Sequence, residues 1–131
     1  MPLFFKINPS NGVPVYEQVT RQVMFAIASG VIKPGEMIPS VRELARELAI
    51  NPNTVARAFR ELQDKQVVHP IRGTGLTVSK GARQKCQTAR TRLIRDRLRD
   101  VLEEARQSQL TDDELEKLIN TEFQNSKKRN R

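Results

Sequence analysis

A single cysteine, a single histidine and no tryptophan leave this chain without the raw material of several protein classes. With Cys86 alone there can be no internal disulfide and no Cys-rich metal centre, and a reducing, cytoplasmic setting is the expectation. His69 sits beside Pro70 with no Cys, Asp or Glu at ligand or triad spacing around it. The stretch RGTGLTVSKG contains glycines but lacks the G-x-x-x-x-G-K-[ST] spacing of a phosphate loop. No apolar run approaches the ~20 residues that a bilayer requires, and MPLFFKINPSNG at the start has no basic-then-apolar leader pattern. These absences predict a soluble, intracellular protein that is not an enzyme, with no catalytic residues, no metal, no cofactor and no membrane partner.

What the chain does have is positive charge. Lys and Arg number 23 against 15 acids, a net charge of +8 and a pI near 10.3, so a polyanion is the first partner to consider. Its 131 residues suffice for one small domain and an appendage, since domains usually run to about 100–200 residues.

LFFKI (3–7), followed by the turn-rich NPSNG, predicts a short strand or arm within residues 1–12. From 13 to 30, Tyr16, Val19, Val23, Ala26 and Ile27 recur on one helical face, with Pro14 suited to the first turn and Gly30 to the C-terminal cap. VIKPGEMIPS (31–40) turns, with a brief extended piece at Met37-Ile38. Ser40 and Glu43 have capping-box spacing and open a short helix carrying Val41, Leu44, Ala45 and Leu48. After the turn at 49–51 a third helix begins, capped by Asn51 with Pro52 at its first position. At 100° per residue Ala58, Phe59 and Leu62 fall within about 60° of Val55, while Asn53, Arg57, Arg60 and Asp64 fall opposite. VVHPI (67–71) and LTVS (76–79) flank RGTG and predict a hairpin.

Helix, short helix, tight turn, helix and hairpin, in that order, make a winged helix-turn-helix over 13–79. The predicted fold class is mainly α with a small β-wing. An α-helix fits the major groove of B-DNA, and its first residues meet base edges. Asn53, Thr54 and Arg57 are placed nearest the bases at the helix start with Asn51, where Arg57 suits guanine and Asn53 adenine. Ser40, Arg42 and Arg60 are assigned to phosphates, and Arg72, Gly73 and Thr74 to a wing tip in the minor groove. The alternative for the charges is local pairing of Arg42 and Arg46 with Glu43 and Glu47, and of Arg60 with Asp64.

Beyond Ser79 the composition shifts: residues 80–92 are rich in Lys and Arg and hold no acid. Ile94, Leu98, Val101 and Leu102 then mark a long amphipathic helix, and Leu115, Leu118, Ile119 and Phe123 a second one opened by a Thr111–Glu114 capping box. Two such helices cannot bury their stripes alone, so residues 80–125 are predicted to be a dimerisation hairpin, with the alternative that they fold back on their own domain. The basic tail, 126–131, is predicted to be disordered.

The stretch from PVYEQV through SGVIKPGEMIPSVRELA and INPNTVARAFRELQDKQVV to the RGTG wing resembles the N-terminal domain of the GntR family of bacterial transcription regulators, over about half of the chain. With only two helices left after it, the chain is similar to the YtrA subfamily, whose short tail dimerises and whose members commonly repress operons for ABC transporters. The resemblance implies a homodimeric repressor on a palindromic double-stranded DNA operator. It carries Arg42, Asn53, Thr54 and Gly73 over as matching positions. Pro52 and Ala56 stand where other members place base-reading arginines, so their operator sequence does not carry over. A second reading, a winged-helix protein-interaction module without sequence-specific DNA binding, would require apolar anchors along 53–60, where Asn, Thr and Arg stand. An unidentified small-molecule effector between two subunits stays open, although no residue of the tail marks a pocket.

Overall fold

The computed structural model describes residues 6–130. Helix α1, Val15–Ala28, starts behind Pro14, which takes the cap position one residue ahead of the first turn expected for it. It closes through Ser29 onto Gly30 at φ 82°, a left-handed conformation that glycine adopts without penalty. Helix α2, Val41–Leu48, opens on the capping box: the Glu43 amide donates to Ser40 Oγ and the Ser40 amide to Glu43 Oε1, both at 3.1 Å. The Ser40 amide holds the Glu43 carboxyl below its ordinary titration range, helped by the Ser40 side chain. Ala49, at φ 57°, lets the chain turn at once into α3, Pro52–Asp64. There the Asn53 amide donates to Asn51 Oδ1 at 2.8 Å.

Strands β1 (Val68–Ile71) and β2 (Gly75–Val78) pair antiparallel, Val68 opposite Val78 and Ile71 opposite Gly75. The extended piece expected at 37–38 lies along the other side of β2. The Gly35 amide donates to the Val78 carbonyl (2.9 Å), the Val78 amide to the Glu36 carbonyl (2.8 Å) and the Ile38 amide to the Leu76 carbonyl (3.0 Å). That edge of the hairpin is therefore covered by the chain itself.

The chain divides into two compact units, Met1–Arg92 and Leu93–Arg131. In the first, α1 supplies Val19, Val23 and Ile27, α2 supplies Leu44, and α3 supplies Val55, Ala58, Phe59 and Leu62 to one apolar core closed by Val67, Val68 and Val78. Tyr16, predicted for the same face of α1, is only half-buried at its margin. The limit of this unit extends past the Ser79 expected for it, because the first turns of α4 (Ala82–Gln107) pack into the core through Ala82 and Cys86. Arg83 Nε and Gln87 Nε2 both donate to the Ala28 carbonyl, at 3.4 and 3.2 Å, satisfying the C-terminal end of α1. Burial pushes the Cys86 thiol up to about 11, so it stays protonated at neutral pH.

Of the strand or arm expected at 3–7, residues 3–5 lie outside the described residues, and Lys6 and Ile7 are not in a strand. The chain after them is fastened by buried Gln18. Its Oε1 accepts from the Asn8 amide (3.0 Å), and its Nε2 donates to the carbonyls of Asn8 (2.7 Å) and Val13 (2.9 Å). Gln18→Ala would leave the part-buried backbone groups of Asn8 and Val13 without these partners, at about 1 kcal/mol. Urea denaturation should show a loss of that size, against almost none for exposed Gln63→Ala.

In the second unit the remainder of α4 and helix α5, Asp112–Arg129, flank a turn with Gln109 at φ 72°. Thr111 and Glu114 form the expected capping box, with the Glu114 amide donating to Thr111 Oγ1 at 3.1 Å. The tail expected to be disordered is helical as far as Arg129. Lys127, Lys128 and Arg129 complement the negative end of the helix dipole, and Lys127 Nζ lies 4.8 Å from the Phe123 ring centroid. No helix of the described residues is long and apolar enough to cross a membrane.

Candidate nucleic-acid interface

Packing of Val55, Ala58, Phe59 and Leu62 sets the roll of α3, and so decides which side chains it presents outward. Asn53, Arg57 and Arg60 are exposed and Thr54 half-exposed, as the 100° arithmetic predicts. Ser40 and Arg42 are exposed at the start of α2. Ser40 Oγ accepts within the cap, which leaves its hydroxyl hydrogen able to donate to a phosphate. Asn51 is exposed too, with its side-chain oxygen engaged in capping α3. At the wing tip the Thr74 amide donates to the Ile71 carbonyl at 3.0 Å, closing a turn around Arg72 and Gly73. Gly73 takes φ 76°, so an unbranched backbone stands at the outermost point.

Several of these groups line common clefts. Ser40, Arg60 and Thr74 line a cleft of about 420 Å³ running between the start of α2, α3 and β2. Arg57 and Arg60 line a second cleft on α3. The local charge pairing open to the sequence is absent: the ion pairs among the described residues are Arg21–Glu17, Arg99–Asp96 and Arg106–Asp112. Arg42, Arg57, Arg60 and Arg72 therefore have no carboxylate partner among them.

One contact escapes sequence reasoning. The Arg57 guanidinium carbon lies 3.7 Å from the centroid of the Tyr16 ring. The Tyr16 hydroxyl donates to Glu17 Oε1 at 3.1 Å, and that bond, with burial, raises the phenol above its ordinary pKa. The two residues are 41 positions apart, and the only hint in the sequence was an aromatic at the end of the α1 stripe. His69, by contrast, is accounted for by a 2.9 Å hydrogen bond between its Nδ1 and Ser79 Oγ, and no group of three metal-ligating side chains occurs among the described residues.

In the second unit Ile94, Leu98, Val101, Leu118, Ile119 and Phe123 are exposed, between 43% and 59%. Leu102 is half-buried, and Leu115 is buried together with Ala105 inside the hairpin, so Leu115 does not contribute to the outer stripe.

Residues 15–78 match the family described as bacterial regulatory proteins, gntR family. The HTH-type transcriptional repressor YtrA of Bacillus subtilis (strain 168) is 34% identical over 113 residues, covering 86% of this chain and 85% of that protein. The solved structure of YtrA from Sulfolobus acidocaldarius, a GntR-family transcription factor, is 29% identical with a TM-score of 0.55, and the match covers 92% of this chain and 97% of that one. The AraR DNA-binding domain in complex with operator ORX1 is 26% identical with a TM-score of 0.51, over 59% of this chain and 93% of that one. Continuous similarity through the winged domain and into the two-helix tail identifies the chain as a member of the GntR family of transcription regulators, of the YtrA type.

Proposed function

We propose that the protein is a homodimeric repressor that binds a palindromic operator, with α3 in the major groove and the Arg72–Thr74 tip in the minor groove. The observation that carries this reading is the set of four arginines without carboxylate partners among the described residues, distributed over α2, α3 and the wing. A helix fits the major groove with its N-terminal residues at base edges, which gives Asn53, Thr54 and Arg57 the reading positions. Arg42 and Arg60 hold phosphates on either side.

Dimerisation follows from size and exposure. The second unit has 39 residues, and only Ala105 and Leu115 are buried apolar side chains among those described. Folds below about 40 residues generally need a disulfide, a metal or oligomerisation to persist. A second copy is the partner that meets that need with the same stripe on both sides. Two-fold symmetry in the protein asks for two-fold symmetry in the operator. Repression, as in the name of the Bacillus relative, and AraR's complex with its operator support the same mode of action. An effector, if one binds, would act by changing the separation of the two α3 helices. The protein-interaction alternative is disfavoured because Asn53, Thr54, Arg57 and Arg60 offer no apolar anchor.

Selection of bound fragments from random DNA should return an inverted repeat. Affinity for it should fall steeply with salt, each neutralised phosphate adding about −0.9 to the slope of log K against log[salt]. Recovery of fragments without a shared motif, or a flat salt response, would overturn the proposal.

A further inference from the structure

We infer that Tyr16 is a positioning residue for DNA reading, its ring holding the Arg57 guanidinium in the orientation from which it meets a base edge. The inference rests on the reading of α3 as the recognition helix. A solvent-exposed arginine normally samples many rotamers, and ordering it on binding costs conformational entropy. Arg57 is instead stacked on an aromatic ring at 3.7 Å. The ring is itself restrained: it is half-buried, and its hydroxyl donates to Glu17.

Two contacts tie α1 to α3 here. One turn beyond the Tyr16–Arg57 stack, Thr20 Oγ1 donates to Glu61 Oε2 at 3.2 Å. The contacts advance four residues on each helix, so α1 and α3 run in the same sense where they touch. Tyr16 is thereby level with the second turn of α3, beside Asn53 and Thr54. The stack stands between two shallow clefts, one lined by Val15, Tyr16, Asn53, Thr54 and Arg57, the other including Arg60 and Glu61. Stacking occupies the flat face of a guanidinium, whereas its N–H donors lie in its plane. A stacked Arg57 therefore keeps its in-plane fork for a bidentate contact, already ordered before DNA arrives.

The test compares Tyr16→Ala, Tyr16→Phe, Arg57→Ala and the double variant Tyr16→Ala/Arg57→Ala, each scored against the selected operator with every base pair varied in turn. Arg57→Ala should flatten the preference at one base pair of each half-site. Tyr16→Ala should reduce the preference at that same base pair by about two- to five-fold, the size expected of an exposed cation–π contact, and leave other positions and the salt slope unchanged. Tyr16→Phe, which keeps the ring face, should retain it, and the double variant should be no worse than Arg57→Ala. An equal loss at all positions, a loss in Tyr16→Phe as large as in Tyr16→Ala, or additive single effects would overturn the positioning role while leaving the recognition helix in place. If Arg57→Ala alters no base preference, both the inference and Arg57's place in the reading fail.

Discussion

Leu98→Asp should convert a dimer into a monomer and weaken operator binding by about 100-fold or more. The stripe it interrupts includes Ile94, Val101, Leu118, Ile119 and Phe123, all exposed in the single chain. Leu98 is itself 52% exposed, so a carboxylate there is solvated in the isolated hairpin and the helix can persist. At a dimer seam the same carboxylate would be desolvated among the apolar side chains of the two stripes, a cost the exposed site of the single chain does not carry. Loss of the second half-site then removes the gain from linked binding, a factor of about 10²–10⁴. Sedimentation equilibrium reads the first effect and operator titration the second. Asp100→Asn, on the opposite side of α4 from Leu98 by helical geometry, should change neither. A Leu98→Asp chain that remained dimeric with unaltered affinity would send the stripe back to an intramolecular role.

Arg57 and Arg60 lie three residues apart on one exposed face, and their removal should have different consequences. Arg57→Ala should cost about 1–3 kcal/mol of discrimination, roughly 5- to 150-fold, between operator and random DNA. Arg60→Ala should weaken both kinds of DNA alike and make the salt slope shallower by about 1 for each copy bound. The distinction comes from position along the helix: Arg57, one turn on from Asn53, lines a cleft with Asn53 and Thr54, whereas Arg60 lines the cleft shared with Ser40 and Thr74 toward the wing. Binding isotherms on the two DNAs across a salt series measure both quantities. Identical losses of specificity in the two variants would remove the division of roles.

Much of this architecture is written locally. Periodicity placed α1, α2 and α3, capping residues placed the starts of α2, α3 and α5 at Ser40, Asn51 and Thr111, and glycine placed the wing turn, because each depends on contacts within a few residues. The outward face of α3 was legible for the same reason, since the apolar stripe that must be buried fixes the opposite side. Where the local rule misled, a distant partner or a neighbouring charge was responsible. The basic run after Ser79 reads as the start of the dimerisation hairpin, yet Ala82 and Cys86 are small and apolar enough to pack on the first unit, with Arg83 and Gln87 reaching the end of α1. The charged tail after Asn125 reads as disordered, yet its cations suit the end of a helix already propagating from Thr111.

The sequence by itself determined the order of elements and the arginines placed on the outward faces, which follow from spacing and short-range capping, while the family came from the resemblance of whole stretches such as SGVIKPGEMIPSVRELA. Only the tertiary structure decided which of those arginines are left without carboxylate partners among the described residues and how Arg57 is held. Surface ion pairs contribute so little that i,i+4 spacing cannot say whether Arg60 and Asp64 meet. The Tyr16–Arg57 stack joins residues 41 positions apart, and it exists because the cores of α1 and α3 bring the two side chains together.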